Sequence, residues 1–164
     1  MSCTKVILLD ITSKIKSMDK ALILSKIIDE HQKIIDNLKS SVERYKHESD
    51  MDEDNTLDPD DYARQNEAKD MQLRFEKMLK EAKQNLKFLE DSKAEIKDKI
   101  EAGTLVETDK NYLFVGVSVP VFKFENKDVI SFSEDAPIYQ NVKGKTSGET
   151  IEMGNNNFEI KNIF

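Results

Sequence analysis

Residues 48–62, ESDMDEDNTLDPDDY, decide the reading of this chain. They carry eight carboxylates and almost no apolar side chains. The segments on either side carry apolar residues at helical spacing. An acidic loop between two such segments reads as the tip of an antiparallel helical hairpin. The rest of the chain then reads as the part that holds this tip out and anchors it.

Before the tip, residues 5–49 read as one helix. Leu8, Ile11, Ile15, Met18, Leu22, Leu24, Ile28, His31, Ile35, Leu38, Val42 and Tyr45 follow one another mostly by three or four, which places them along one helix face. The stripe widens across residues 21–28, which implies contact with something besides a partner helix. No Pro or Gly occurs from Met1 through Thr56, so nothing interrupts the helix. Beyond the tip, Asp58 suits an N-cap and Pro59 the first helical position. Asp60 and Asp61 favour the positive end of the helix dipole. The second stripe is Ala68, Met71, Phe75, Met78, Ala82, Leu86, Leu89, Ile96 and Ile100, close to a heptad pattern over about five repeats. Gly103 suits a C-cap. Met71 and Met78 read as core fillers. About 40 residues per helix at 1.5 Å each give an arm about 60 Å long.

After Gly103 the texture changes. Residues 112–119 are strand-like, and residues 121–124 alternate. Asn126-Lys127 makes a turn into a strand over 129–132. Asp135-Ala136-Pro137 caps a short helix through about Val142, which Gly144 ends. Strands at 150–153 and 158–164 close the chain around the turn at 154–157. The expected fold class is α+β: an N-terminal antiparallel coiled-coil hairpin over residues 1–102, with its tip at about 48–61, then a small β-rich domain over 103–164. So small a β-rich unit is near the lower limit for a stable core and is expected to lean on the base of the hairpin.

The totals agree. The 164 residues are 38% hydrophobic and 35% charged, a balance that suits a narrow buried stripe and a wet surface. A net charge of −7 argues against a general nucleic-acid coat. The single Cys3 allows no internal disulfide and has no identifiable base partner, so it reads as an inert thiol of a reducing cytoplasm. No segment approaches the roughly 20 apolar residues of a membrane span. The run Val6-Ile7-Leu8-Leu9, cut by Asp10, is too short for a signal-peptide core. His31 lies in the stripe and reads as a core or boundary residue. His47, near the tip, is a weak metal signal.

Two features together resemble the bacterial Gre transcript-cleavage factors, most closely the compact Gre-like proteins of Bacteroidetes. One is the architecture of hairpin, acidic tip and small β-rich domain. The other is Ser133-x-x-Ala136-Pro137-Ile138, followed by Val142-x-Gly144-Lys145-x-x-Gly148-Glu149-x-Ile151 and Phe158-Glu159-Ile160. The resemblance implies an FKBP-like C-terminal domain and a partner, RNA polymerase, whose secondary channel admits the hairpin. Tip carboxylates would then help hold the second Mg²⁺ of the polymerase active site during hydrolysis of backtracked RNA. The factor would have no cofactor of its own, meet nascent RNA indirectly, touch no membrane and work as a cytoplasmic monomer. It would not be an enzyme by itself.

Carried over residue by residue, Tyr62 falls on the family's tip Tyr, Asp61 on the preceding acid and Asp58 on the family's Glu. The family's Asp position falls on Asn55, with Asp54 beside it. The resemblance therefore implies Asp54, Asp58 and Asp61 as the catalytic carboxylates, with Asp54 and Asp58 as the Mg²⁺ ligands. It implies Tyr62, Asp135, Ala136 and Pro137 as polymerase contacts. Arg64 and Lys69 match scattered basic residues that meet RNA or channel walls. An Asn at the ligand position also fits a related class of channel-blocking inhibitors. Two readings from other classes stand beside these: a small chaperone or prolyl isomerase built on the β-rich unit, and a structural coiled-coil dimer.

Overall fold

The computed structural model describes residues 3–50 and 58–164, with side chains of the first helix described from Asp19 onward. Helix α1 spans Cys3–Ser49 and α2 spans Pro59–Ser92. Strands β1 (Leu105–Thr108), β2 (Asn111–Val115), β3 (Phe122–Phe124) and β4 (Lys127–Phe132) follow. Helix α3 (Pro137–Val142) precedes β5 (Thr150–Met153) and β6 (Asn156–Ile163). The class is α+β. Among the described residues no helix is long and apolar enough to cross a membrane.

The chain forms two compact units. One holds residues up to Glu30 together with Lys87–Phe164, and the other holds His31–Leu86. In the first unit a six-stranded sheet runs in the order β3-β4-β2-β1-β6-β5. The β2–β4 pair is parallel and the others are antiparallel. Alternation along the strands divides the side chains between two faces. Val106, Leu113, Val115, Ile151 and Ile160 line one face and are buried with Tyr139 and Val142 of α3. Leu105, Tyr112, Phe114 and Phe124 line the other. The Lys26 ammonium of α1 sits 5.3 Å from the centre of the Phe124 ring. Ile23, Leu24 and Ile27 of α1 are wholly buried, each contributing roughly 1.5–3 kcal/mol. The widened stripe at 21–28 is thus accounted for.

Lys20 is the least expected core member of this unit. It is 2% exposed, and its ammonium donates to the main-chain oxygens of Glu95 (2.5 Å), Phe164 (3.1 Å) and Gly103 (3.3 Å). One α1 side chain therefore ties down the connector after α2, the entry to β1 and the exit of β6. Phe164 and Leu105 also exchange main-chain bonds at 2.9 and 3.2 Å.

Helix α2 stops at Ser92, about ten residues short of the end expected at Gly103. The seam on α2 runs Ala68, Gln72, Phe75, Leu79, Ala82, Leu86 and Leu89, stepping by four and three. Its next position is Lys93, so the apolar stripe runs out. The Ser92 hydroxyl turns back onto the Phe88 carbonyl at 2.7 Å. Ile100 enters the sheet core, whereas Ile96 is 80% exposed. Gly103, at φ +85°, donates to Val115 O at 2.8 Å and opens the sheet instead of capping a helix. The same stepping corrects Met71 and Met78. They lie one position off the seam, which Gln72 and Leu79 occupy, and Met78 is 49% exposed.

In the β-rich region β3 and β5 match the expected pattern, β4 starts at Lys127 and not at 129, β2 stops at Val115 where the strand-like run was expected to reach 119, β6 starts at Asn156 inside the expected turn, and β1 is additional. The turn between β3 and β4 is centred on Glu125 and Asn126, both at positive φ, one residue earlier than expected. That geometry matches the right-handed twist of a hairpin. Asp135 does not cap α3. The N-cap is Ala136, without a side-chain hydrogen bond, and Pro137 supplies the fixed first turn.

Burial outweighs the neighbouring Glu95 carboxylate and pushes the Lys20 pKa from 10.5 down to about 8. Between those values the unfolded chain holds a proton that the folded chain has released, so stability from this group rises with pH across that window and is flat below it. The wild type should therefore gain stability on Lys20→Met as pH is raised from 8 to 10.5. Denaturant midpoints of both proteins across that range check this, and a constant or shrinking gap would contradict it.

Candidate functional site

The acidic tip is built from the start of α2. Asp58 is the N-cap. Its Oδ1 accepts the main-chain N–H groups of Asp60 at 2.9 Å and Asp61 at 3.0 Å. Asp61 Oδ2 lies 3.4 Å from the Asp58 N–H, the returning half of a capping box. The Asp58 carbonyl accepts from Asp61 and Tyr62 at 3.1 and 3.2 Å. Three carboxylates thus crowd the positive end of the α2 dipole, where the helix stabilises negative charge. Asp58, Asp60 and Tyr62 are exposed, and Asp61 is half-buried. A carboxylate offers about four lone-pair positions. Capping engages one Asp58 oxygen and leaves acceptor capacity on the same group.

Opposite this end, α1 closes with Lys46 and His47 in its last turn, the Lys46 ammonium at the negative end of the dipole. The Ser49 hydroxyl lies 2.9 Å from the Lys46 carbonyl and 3.3 Å from Oε1 of Gln72. Gln72 is buried. It also accepts from Lys69 at 3.1 Å and donates to Glu76 at 2.7 Å. Tyr45 and Phe75 stack 5.4 Å apart in the next layer. Arg64 is exposed, while the Lys69 ammonium is engaged by Gln72.

Of the acids expected to act, Asp58 and Asp61 are brought together. Asp54, Asp52, Glu53 and Asn55 lie outside the described residues. Among the described residues no group of three or more His, Cys, Asp or Glu side chains is placed to hold a metal ion by itself. Two hard-oxygen carboxylates suit a share in a Mg²⁺ shell completed by water and a second molecule.

The second candidate surface lies in the other unit. Asp135 and Pro137 are exposed, and Ala136 is partly buried against the sheet core. The glycine-containing turn after α3 has a structural basis of its own. Gly144, at φ +75°, donates to Ile100 O at 2.8 Å, and Ile100 donates to Lys145 O at 2.9 Å. Gly148 and Glu149 exchange main-chain bonds with Ile160 at 2.8 and 2.9 Å. The Glu149 carboxylate accepts from the Thr146 N–H and hydroxyl at 2.6 and 2.9 Å, which holds its pKa below the usual carboxylate value. These residues close a tight turn onto β6 and α2's connector.

Sequence reasoning missed Lys20, Ser49 and Gln72. Each sits on a four-three step of a seam, and that stepping was the signal available to find them.

No family model matches the chain, and no curated protein matches it. Among solved structures, the crystal structure of GreA factor homolog 1 (Gfh1) from Thermus thermophilus is similar to it at 14% identity and a TM-score of 0.32, over 88% of this chain and 94% of that one.

Removing the Asp58 cap with Asp58→Ala should cost about 1 kcal/mol of stability, whereas Asp58→Asn, which caps equally well, should cost little. Equal losses from the two variants in denaturant titrations would contradict the capping role.

Proposed function

We propose that this chain is a Gre-type accessory factor that inserts its hairpin tip into the secondary channel of RNA polymerase and assists cleavage of backtracked RNA. The observation that supports this most is the capped carboxylate pair Asp58 and Asp61 at the turn end of the hairpin. The residue pattern over 133–160 supports the same partner.

In this reading the tip lends hard oxygen ligands and does not hold a metal alone. Asp58 and Asp61, joined by Asp54, face the polymerase centre, and Asp54 and Asp58 share its second Mg²⁺. Asp54 and Asp58 would help hold that ion, which together with the polymerase's other Mg²⁺ would supply charge stabilisation during phosphodiester hydrolysis. The reciprocal cap fixes the Asp58 rotamer before binding, so less ordering is needed at the moment of reaction. Tyr62 meets the channel wall, and residues 135–137 meet the polymerase exterior. The factor has no cofactor and no active site of its own, and it works as a monomer in the cytoplasm.

A second reading within the same partnership is channel blockage without cleavage. Asn55 favours it, because a neutral amide is a weaker Mg²⁺ ligand than a carboxylate.

A backtracked complex of the cognate polymerase with labelled RNA separates these outcomes. The proposal predicts short 3′ fragments released faster than by polymerase alone. It also predicts loss of that stimulation in Asp58→Asn and Asp54→Asn with binding retained. Tight binding that slows elongation without cleavage would establish the blocking reading. Absence of both binding and cleavage would overturn the proposal.

A further inference from the structure

His31 is 3% exposed and sits in the seam of α1. Its Nε2–H donates to the main-chain carbonyl of Ala82 at 2.8 Å, while Nδ1 is buried without a hydrogen-bond partner. A buried polar ring with one orphaned nitrogen is a poor choice for stability alone. An apolar residue of similar volume would fill the seam without that cost.

The bond depends on what Ala82 is. A side chain of one methyl group leaves its helix carbonyl open to a ring from the facing helix. Seven residues away in either direction, the same seam position holds Phe75 or Leu89. Side chains of that bulk would stand between an approaching ring and the carbonyl beneath. A one-heptad slip of α2 along α1 would therefore strand the His31 N–H in an apolar layer. Slips by other amounts bring polar faces into the seam. The apolar neighbours give no comparable discrimination. Ile35 and Leu38 pack with Phe75, Leu79, Ala82 and Leu86, and none of these side chains carries a hydrogen bond that a slip would break. At the tip end the buried Gln72 meets Ser49, but Gln72 also bonds Lys69 and Glu76 of its own helix. Those partners travel with it, so this layer resists a slip less.

We infer that the His31 ring seated on the Ala82 carbonyl is a register lock for the hairpin, and that it positions the tip acids along the arm. The polar residue is retained for a unique alignment and not for stability, a use attested for polar seam residues in coiled coils. The consequence for RNA cleavage rests on the function proposed above. The register itself does not.

The test measures register in the free protein. Spin labels are placed on cysteines introduced at the exposed positions Lys46 and Lys83, which are offset along the arm, in a Cys3→Ser background. The lock predicts one distance for the parent and for His31→Gln, which keeps a donor of similar reach. It predicts a second distance in His31→Leu, as for an axial slip of one heptad, about 10 Å. Thermal stability of His31→Leu should be unchanged or higher. Ala82→Leu, which fills the notch from the other side, should give the same split. A single unshifted distance in both His31→Leu and Ala82→Leu would overturn the inference and leave His31 an ordinary core residue. No polymerase enters this experiment, so a failed polymerase interaction and a failed register lock give different results.

Discussion

A single buried ammonium organises the unit that carries the sheet. Lys20 reaches three main-chain oxygens that are 75, 83 and 144 residues away along the chain. They belong to the connector after α2, to the glycine before β1 and to the last residue after β6. The Phe164 oxygen also accepts the Leu105 N–H, so Lys20 is its second donor; for a buried acceptor such as the Gly103 oxygen, losing the donor would cost about 1–3 kcal/mol. The desolvation that lowers the Lys20 pKa is the opposing expense. Around this point the sheet closes, with Phe164 paired to Leu105 and Gly103 to Val115. The partly buried Lys127–Glu107 pair, with Asn162 on the second Glu107 oxygen, continues the same face. There burial, together with Glu107, Asp19 and Glu125, raises the Tyr112 hydroxyl to about 12. Phe88 adds a steric contact. Its ring lies where a side chain on Gly116 would stand, so only glycine fits there.

In the other unit the seam is regular, and its polar members carry the information. Apolar layers hold the helices together without fixing how far one has slid along the other. His31 on Ala82 and Gln72 beside Ser49 break that degeneracy near the two ends of the seam. The tip carboxylates stand at the N-terminus of α2, so an uncertainty of one heptad would move them by about 10 Å. A function that needs carboxylates at a fixed depth inside a partner would demand such alignment.

Much of the fold was legible in the residues. The absence of Pro and Gly before Thr56 and the Asp58-Pro59 start located both helices, because those signals are local. The small helix at Pro137 and the strands around it were legible for the same reason. What failed depended on distant partners. Ile96 and Ile100 continue the helical rhythm, yet Lys93 leaves the seam and Ile100 finds a better place in the sheet core. Met71 and Met78 entered the stripe by spacing, because 68, 71, 75, 78 and 82 also step by three and four. Between Ala68, Phe75 and Ala82 either phase fits the sequence, and packing selects Gln72 and Leu79. The steps from Lys20 to Leu24, Ile27 and His31 put Lys20 on the seam, but its three acceptors are main-chain atoms, which leave no mark in a sequence. At the tip, Asp58 was legible as the N-cap and Asp61 as a first-turn acid, whereas the bond from the Asp58 N–H back to Asp61 was not.

In the proposed function the hairpin tip is the working end and stands at the catalytic centre of a polymerase. A photo-crosslinking amino acid at Tyr62, exposed one residue past the acid pair, reads that placement directly. With the cognate polymerase in a backtracked complex, the account predicts attachment to residues lining the secondary channel beside the catalytic Mg²⁺, or to the 3′ end of the RNA. Attachment confined to the polymerase exterior, or none under conditions where the two proteins bind, would contradict it.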